Sequence, residues 1–579
     1  MFPKKLQDSF NKTLEMEHQY LTYFIVIGLA CLHFAYLASF SLNVPNGDDL
    51  YCIYDAVLQF DAAKGFWQKI TVIITPWLEH TIAYTKLLAI ANYKILGKLD
   101  FKVYIITGNL SLVGIAFIFY KVLKGLEVNV WYFIPIALLL FQPQSYEGQY
   151  WPAATAAYMS VIFYSMLCFY ILFLTDDRWL FAALLAGIMA LYTFGAGIIT
   201  LIVALGVLVL KRDFKKAVIW SIGCLLVYGI FITFYTYPAA ERPPIFEALL
   251  NTPSFVLNYF LSFLGMILDF EETPKMPSQV IAIILFGGVL SLLLLLFLAI
   301  SWIRTFNRPI LTSNRPMWFL ISLSLFVVGS TLSMALLRGQ TEMIYLFSSR
   351  YKIYPIIFLI TTYLTALYFF KRNLRIKQSI AGIITTFAIL FFIVSYYSYT
   401  YKIIELRNYF LSGMYNWNNN KQWLIYRETS YFEPAANSIG LKMDQKESPY
   451  HVPKVLEGLT HKNIKLSPAT SALELTIGNP NRFNAVLPDI QTESLNQGHF
   501  LFIHSSSKIY VFPVTSNKNA KLDLISTTNW FKSGGYCSVS TLQLEPAKYQ
   551  IGEYNSANNE IKLSNQLIEI NEDYSISKL

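Results

Sequence analysis

Four groups of polar residues carry the chemistry this sequence has to offer. The first is Asn46-Gly47-Asp48-Asp49. Adjacent carboxylates in a confined site raise each other's pKa, so Asp48 or Asp49 suits a general base, and the pair suits a divalent cation, Mg or Mn. A helix N-cap is the competing account, since Leu50-Tyr51-Cys52-Ile53 follows. The second is Trp77-Leu78-Glu79-His80, where Glu79 and His80 suit an acceptor hydroxyl or a proton path. A glutamate favoured by the dipole at a helix start is the plainer alternative. The third runs from Gln142 to Pro152 and crowds Glu147, Gln149 and Trp151 into one short turn. Aromatic faces beside amides are what a sugar surface requires, and an ordinary aromatic belt explains the same residues. The fourth is Arg338-Gly339-Gln340 through Ser348-Ser349-Arg350-Tyr351. Arginine suits bidentate phosphate binding at a low-dielectric interface, against the alternative of snorkelling anchors. Glu241, Arg242, Asp269, Glu271 and Glu272 read as solvated loop charges.

Other chemistries lack their residues. There is no phosphate-cradling glycine loop, no Ser/His/Asp signature and no His/Cys ligand spacing, so nothing supports a reaction driven by cytosolic nucleotide. Cys31, Cys52, Cys168, Cys224 and Cys537 form no disulfide framework.

The elements that position these groups follow from composition. The chain has 579 residues, 55% hydrophobic and only 14% charged, where a soluble chain carries about 25%. Its mean hydropathy is +0.44, and the apolar excess must face lipid. The fold class is an α-helical polytopic membrane protein. A span needs roughly 20 apolar residues, and the qualifying runs are 20–42, 101–121, 130–145, 153–174, 179–194, 195–210, 217–236, 279–303, 316–337, 351–370 and 379–399. That predicts about eleven transmembrane helices, the first a signal anchor. Thr193-Phe194-Gly195-Ala196-Gly197 breaks the run 179–210 into two short helices.

Lysine and arginine set the orientation. With the N-terminus in the cytoplasm, Lys121 and Lys124, Arg178, Lys211 to Lys216, Arg304 to Arg315, and Lys371 to Lys377 all fall in cytoplasmic turns. The four polar groups then share the external side. Segment 80–97, with Lys86 and Lys94 near one face, reads as an amphipathic interfacial helix within a first external loop spanning 43–100. The transmembrane domain covers 1–399 and a stalk covers 400–445. Residues 446–579 make an external, mainly β domain. Alternating runs at Leu473–Ile477, His499–Ile503, Lys508–Val514, Leu522–Ser526, Ser538–Leu544, Tyr549–Tyr554 and Asn559–Ile570 suggest a β-sandwich. The net charge of +9 is a topology signal without the basic stripe of a nucleic-acid binder.

An acidic pair in the first external loop, then a juxtamembrane helix and many spans, resembles the GT-C type glycosyltransferases. The closer likeness is to bacterial membrane glycosyltransferase-like proteins with Asp-Asp early, a Glu-His-Arg-type motif next and an Arg-Gly…Ser-Arg-Tyr block late. The counterparts here are Asp48-Asp49, Glu79-His80 and Arg338-Gly339…Ser348-Ser349-Arg350-Tyr351, with Thr81 and then Lys86 where the family has Arg. Trp530 to Tyr536 and Pro546 to Ile551 look like that family's external β-domain. The resemblance implies inverting transfer from a polyprenyl-phosphate-linked sugar to a glycan, lipid or protein acceptor, outside a bacterial inner membrane. It places the donor phosphate at Arg338 and Arg350 and the base at Asp48 or Asp49. Glu79, His80, Lys86, Glu147, Gln149, Trp151 and Tyr351 would position substrates. A polysaccharide polymerase or ligase predicts dominant arginines and dispensable aspartates. A transporter or flippase predicts paired charges near mid-span or an inverted repeat.

Overall fold

The computed structural model of the chain describes residues 4–77, 80–234, 249–270, 276–306, 315–338, 346–422, 438–443, 456, 459, 465–467, 470–479, 481–491 and 498–578. The protein is mostly helical with a C-terminal β region. Eight helices among the described residues are long and apolar enough to cross a membrane: Glu17–Phe40, Phe101–Gly125, Pro152–Leu174, Phe214–Thr233, Pro277–Phe297, Arg315–Leu337, Ser349–Phe369 and Leu374–Asn420. Each coincides with an apolar run named above. The three other runs also fold as helix in shorter pieces, Ile134–Leu140, Leu180–Leu191 and Gly197–Leu210, with the break near Gly195 as expected. Pro253–Gly265 is a further apolar helix. Its length, near 20 Å at 1.5 Å per residue, falls short of a bilayer core of about 30 Å.

The chain divides into two compact units, one of Met1–Ser39, Gln59–Asn92 and Val103–Tyr399, the other of Phe40–Leu58, Tyr93–Lys102 and Thr400–Leu579. In the first, Pro253–Gly265 crosses Pro277–Phe306 at backbone distance. A Cβ on Gly265 would strike the Ile283 carbonyl, and one on Gly287 the Leu261 carbonyl. Small residues let apolar helices close on each other where lipid offers no hydrophobic drive. Gly287→Ala is expected to destabilise the unit by about 1–3 kcal/mol through overpacking. Thermal unfolding of the purified protein in detergent checks this, with Gly288→Ala as control, since a Cβ at Gly288 meets nothing within 4 Å.

The interfacial segment needs one correction. It folds as the helix Ala83–Leu96, with Lys94 exposed but Lys86 only 7% exposed. The Lys86 ammonium donates to the carbonyls of Val72 (2.9 Å) and Thr75 (2.8 Å). These lie at the C-terminal end of the helix Phe66–Ile74, where unsatisfied carbonyls attract a cation. Periodicity alone placed Lys86 on the polar face; the carbonyls that claim it come from another helix.

The second unit contains ten described strands. They are β1 (Lys465–Leu466), β2 (Glu474–Asn479), β3 (Arg482–Leu487), β4 (His499–His504) and β5 (Ile509–Pro513), then β6 (Thr515–Lys518), β7 (Phe531–Ser540), β8 (Ala547–Asn555), β9 (Glu560–Ile570) and β10 (Ile576–Lys578). One sheet has the order β1-β9-β8-β4-β5 with β10 also on β9, and the other β2-β3-β7-β6. Alternation explains the first sheet's burial on both faces. Leu501, Ile503, Tyr510, Phe512 and Ile551 share an apolar core with Phe483, Ala485, Cys537 and Val539 of the second sheet. Phe500, Phe502, Ile509 and Val511 turn the other way, onto Leu411 and Tyr415.

Leu411 and Tyr415 belong to the stalk, which continues the last apolar run as one helix, Leu374–Asn420. Its asparagines have a structural task. Asn416 donates to the Val511 carbonyl (2.8 Å) and accepts from the Val511 amide (3.1 Å), and Asn420 donates to the Ile509 carbonyl (2.8 Å). One helical turn, about 6 Å, matches two residues of strand, so the pair covers the outer edge of β5. The run Leu522–Ser526, expected as a strand, is instead the helix Lys521–Thr527. It lies past Lys518↔Phe531, the outermost pair of the β6–β7 ladder, and has no strand to pair with. Within 444–464, at the start of the C-terminal domain, only Leu456 and Leu459 are described.

Candidate functional site

Three of the four polar groups meet in the first unit. The third is built on an elbow, Gln142–Trp151, held by amide side chains. Gln142 Oε1 accepts from the Gln144 amide (2.7 Å), and Gln149 Nε2 donates to the Gln142 carbonyl (2.9 Å). Asn109 Nδ2 donates to the Gln149 carbonyl (2.8 Å), and Gln144 Nε2 to the Ile267 carbonyl (2.8 Å). Irregular backbone inside a membrane protein must be satisfied by protein groups, and these side chains do so. Gln149 is 2% exposed, so it braces the elbow from within.

The elbow holds Glu147 and Trp151 against the fourth group. The Glu147 amide donates to Ser349 Oγ (3.0 Å), and the Arg350 amide approaches Glu147 Oε2 at 3.4 Å. The Arg350 guanidinium stands 5.6 Å from the Trp151 ring centre and 5.4 Å from that of Tyr351. Its Nε is buried and has no hydrogen-bond partner among the described residues. Gly148 faces the same place: a Cβ there would be in ordinary contact with Arg350 Cα (3.6 Å) and would press only on the tip of Met159 (3.1 Å).

Tyr351 joins an aromatic chain that reaches the second group. It packs edge-on against Tyr158 at 5.4 Å, Tyr158 against Phe194 at 4.7 Å, and Phe194 stacks on His80 at 4.9 Å. The His80 segment is docked by Thr81 Oγ1, which donates to the Leu191 carbonyl (2.6 Å). His80, Phe194, Tyr158 and Tyr351 line a cavity of about 530 Å³, together with Tyr354, Phe263 and aliphatic side chains. Ser330 also lines it, and its buried Oγ lacks a partner among the described residues. The arrangement offers an apolar-aromatic chamber one residue away from a guanidinium, a carboxylate and an indole face. Glu79 and the Arg338 side chain lie outside the described residues.

The first group belongs to the second unit. Asp49 is wholly buried, and its Oδ2 accepts from the Asn46 amide (2.7 Å). It stands at the N-cap of the π-helical turn Leu50–Asp55 but makes no side-chain capping bond. Asp48 is half-buried. Among the described residues, no three His, Cys, Asp or Glu side chains are grouped to hold a metal ion. Asp48 and Asp49 supply two carboxylates, short of the three or more ligands that a metal ion ordinarily draws from side chains.

Sequence reasoning missed the strongest electrostatic feature of the first unit. Lys352, fully buried, donates to Asp269 Oδ2 (2.9 Å), to the Asp269 carbonyl (2.9 Å) and to Tyr399 Oη (2.7 Å). Asp269 is 4% exposed and is not a solvated loop charge. The signal available was a lysine at the head of an apolar run, where a cation demands a partner.

No family model, no curated protein and no solved structure matches the chain.

Proposed function

We propose that the protein is an integral-membrane glycosyltransferase of the GT-C type. It moves a sugar, with inversion, from a polyprenyl-phosphate donor to a glycan, lipid or protein acceptor on the periplasmic face of a bacterial inner membrane. The observation that carries this reading is Arg350: a half-buried cation with a buried, unused Nε–H, flanked by two aromatic faces and a carboxylate, beside an apolar chamber. A ligand for such a place has an anionic head and an apolar tail. In this mechanism Arg350 binds the donor phosphate and stabilises the charge that grows on it as it leaves. Glu147 and Trp151 hold the sugar, one by hydroxyl hydrogen bonds and one by its ring face. The chamber takes the first part of the lipid chain.

The acceptor oxygen attacks the sugar's anomeric carbon. The bond from that carbon to the phosphate oxygen breaks, and the phosphate leaves with the electron pair. The acceptor proton passes to a carboxylate, which the sequence resemblance assigns to Asp48 or Asp49. Of the two, Asp48 is half-buried, and buried Asp49 accepts from the Asn46 amide within the turn. The same reading takes all eleven apolar runs as spans, with the basic turns in the cytoplasm and a sandwich-like β domain outside. A transporter needs a charge pair in its path. Lys352–Asp269 instead sits at the first turn of the span Ser349–Phe369, away from its middle, and spends all three ammonium donors on protein acceptors.

The test is transfer of label from a radiolabelled polyprenyl-phosphate sugar into envelope glycans, in membranes with equal protein levels. Wild type is expected to incorporate label, Asp48→Asn to lose at least about a hundredfold, and Asp49→Asn to lose less. Full transfer with both aspartates neutralised would remove the base assignment and favour a polymerase.

A further inference from the structure

We propose that the tip of the β6–β7 hairpin is a lipid anchor that dips into the bilayer surface beside the last membrane helix. The tip is the helix Lys521–Thr527. Its Leu522 and Ile525 are 80% and 77% exposed. Three positions apart, they share one helix face. Bare aliphatic side chains of this size are costly in water, and covering them is favourable.

The long helix Leu374–Asn420 says what covers them. Its apolar stretch ends in Tyr396-Tyr397-Ser398-Tyr399-Thr400-Tyr401, an aromatic cluster of the kind that marks a membrane–water interface. The hairpin is fastened just past that cluster. At the start of β6, Thr515 Oγ1 donates to Glu405 Oε1 (3.0 Å). At its end, Lys518 Nζ lies 5.9 Å from the Tyr401 ring centre, and Phe531 packs on the same ring at 6.1 Å. From Glu405 to Tyr401 is one turn of helix toward the apolar stretch, so β6 runs toward the bilayer as it goes from Thr515 to Lys518. The tip follows the end of the ladder that lies nearest Tyr401.

The closure of the tip keeps its course. The Asn519 amide donates to the Trp530 carbonyl (3.0 Å) and Asn519 Nδ2 to the Asn529 carbonyl (3.1 Å). Charge agrees with a lipid partner. Lys518 and Lys532 outnumber the single acid Asp523, which suits an anionic headgroup layer. Because the same chain is already held in the membrane, the contact forms intramolecularly, and two aliphatic residues suffice.

The experiment uses the full chain in lipid nanodiscs containing phosphatidylglycerol. The exposed Cys31 and half-buried Cys224 are first replaced by serine. Leu522→Cys, Ile525→Cys and, in the exposed β8–β9 turn, Asn558→Cys are then labelled with an environment-sensitive fluorophore. Lipids carrying a quencher just below the headgroup are expected to remove more than half of the emission at 522 and 525 and to leave 558 unchanged. Equal emission and quenching at all three positions would overturn the proposal, because the tip would then sit in water. A blue-shifted probe at 522 that lipid does not quench would overturn it too, because protein would then cover the tip.

Discussion

Lys352→Met is expected to cost the membrane unit about 3–5 kcal/mol. The substitution leaves Asp269 a buried carboxylate without its cation and takes a donor from Tyr399, which itself donates to the Asp269 carbonyl (2.8 Å). The network also ties Gln144, whose amide reaches the same carbonyl at 3.2 Å, so the elbow loosens with it. Asp269→Asn keeps an acceptor and is expected to cost less. Lys352→Met with Asp269→Leu is expected to recover most of the loss, since an apolar pair of similar volume needs no charge compensation. Unfolding of the purified protein in rising denaturing detergent measures all three. A double variant as damaged as Lys352→Met would show that the pair's geometry, and not the orphaned charge, sets the cost.

Arg350→Ala is expected to lower the transfer rate by about 10²–10³-fold, the usual effect of removing one donor aimed at developing negative charge. Arg350→Lys is expected to fall nearly as far. Lysine keeps the charge but lacks the planar fork, and it cannot stack between Trp151 and Tyr351. Trp151→Phe should lose less and mainly raise the KM for the donor. Initial rates over a range of donor concentration, on variants with unchanged thermal midpoints, separate these outcomes. Wild-type rates in Arg350→Ala would remove the phosphate site from Arg350. Partial rescue of that variant by added guanidinium would support it.

Much of the frame was legible because the bilayer is a simple solvent. Each of the eleven apolar runs is helical, and the glycine break near Gly195 falls where its residues place it. Most of the β runs were readable from alternation, as in His499–Ile503 and Tyr549–Tyr554. Leu522–Ser526 failed because alternation does not reveal whether a partner strand is present. The candidate site was legible as separate pieces. Glu147, Trp151, Arg350, Tyr351 and His80 were each visible as polar or aromatic residues that spans do not need. Their joining through Tyr158 and Phe194 was not, since both look like ordinary apolar-run residues. Lys86 and Asp269 were misread for one reason: a charge near a span was assigned to water, when a carbonyl or an opposite charge from a distant segment had claimed it.

The asparagines of the long helix bear on how this protein behaves in a crowded envelope. A sheet edge with bare amides and carbonyls is a template on which a passing extended chain can add itself, the first step of both strand-addition partnerships and fibre growth. At β5 the groups at Val511 and Ile509 are taken by Asn416 and Asn420, side chains of a helix that cannot extend into another strand. The sheet is thus terminated by an element that mimics the pairing and forbids its propagation. Assembly of this protein into larger β structures through that edge is closed for as long as the helix stays wound.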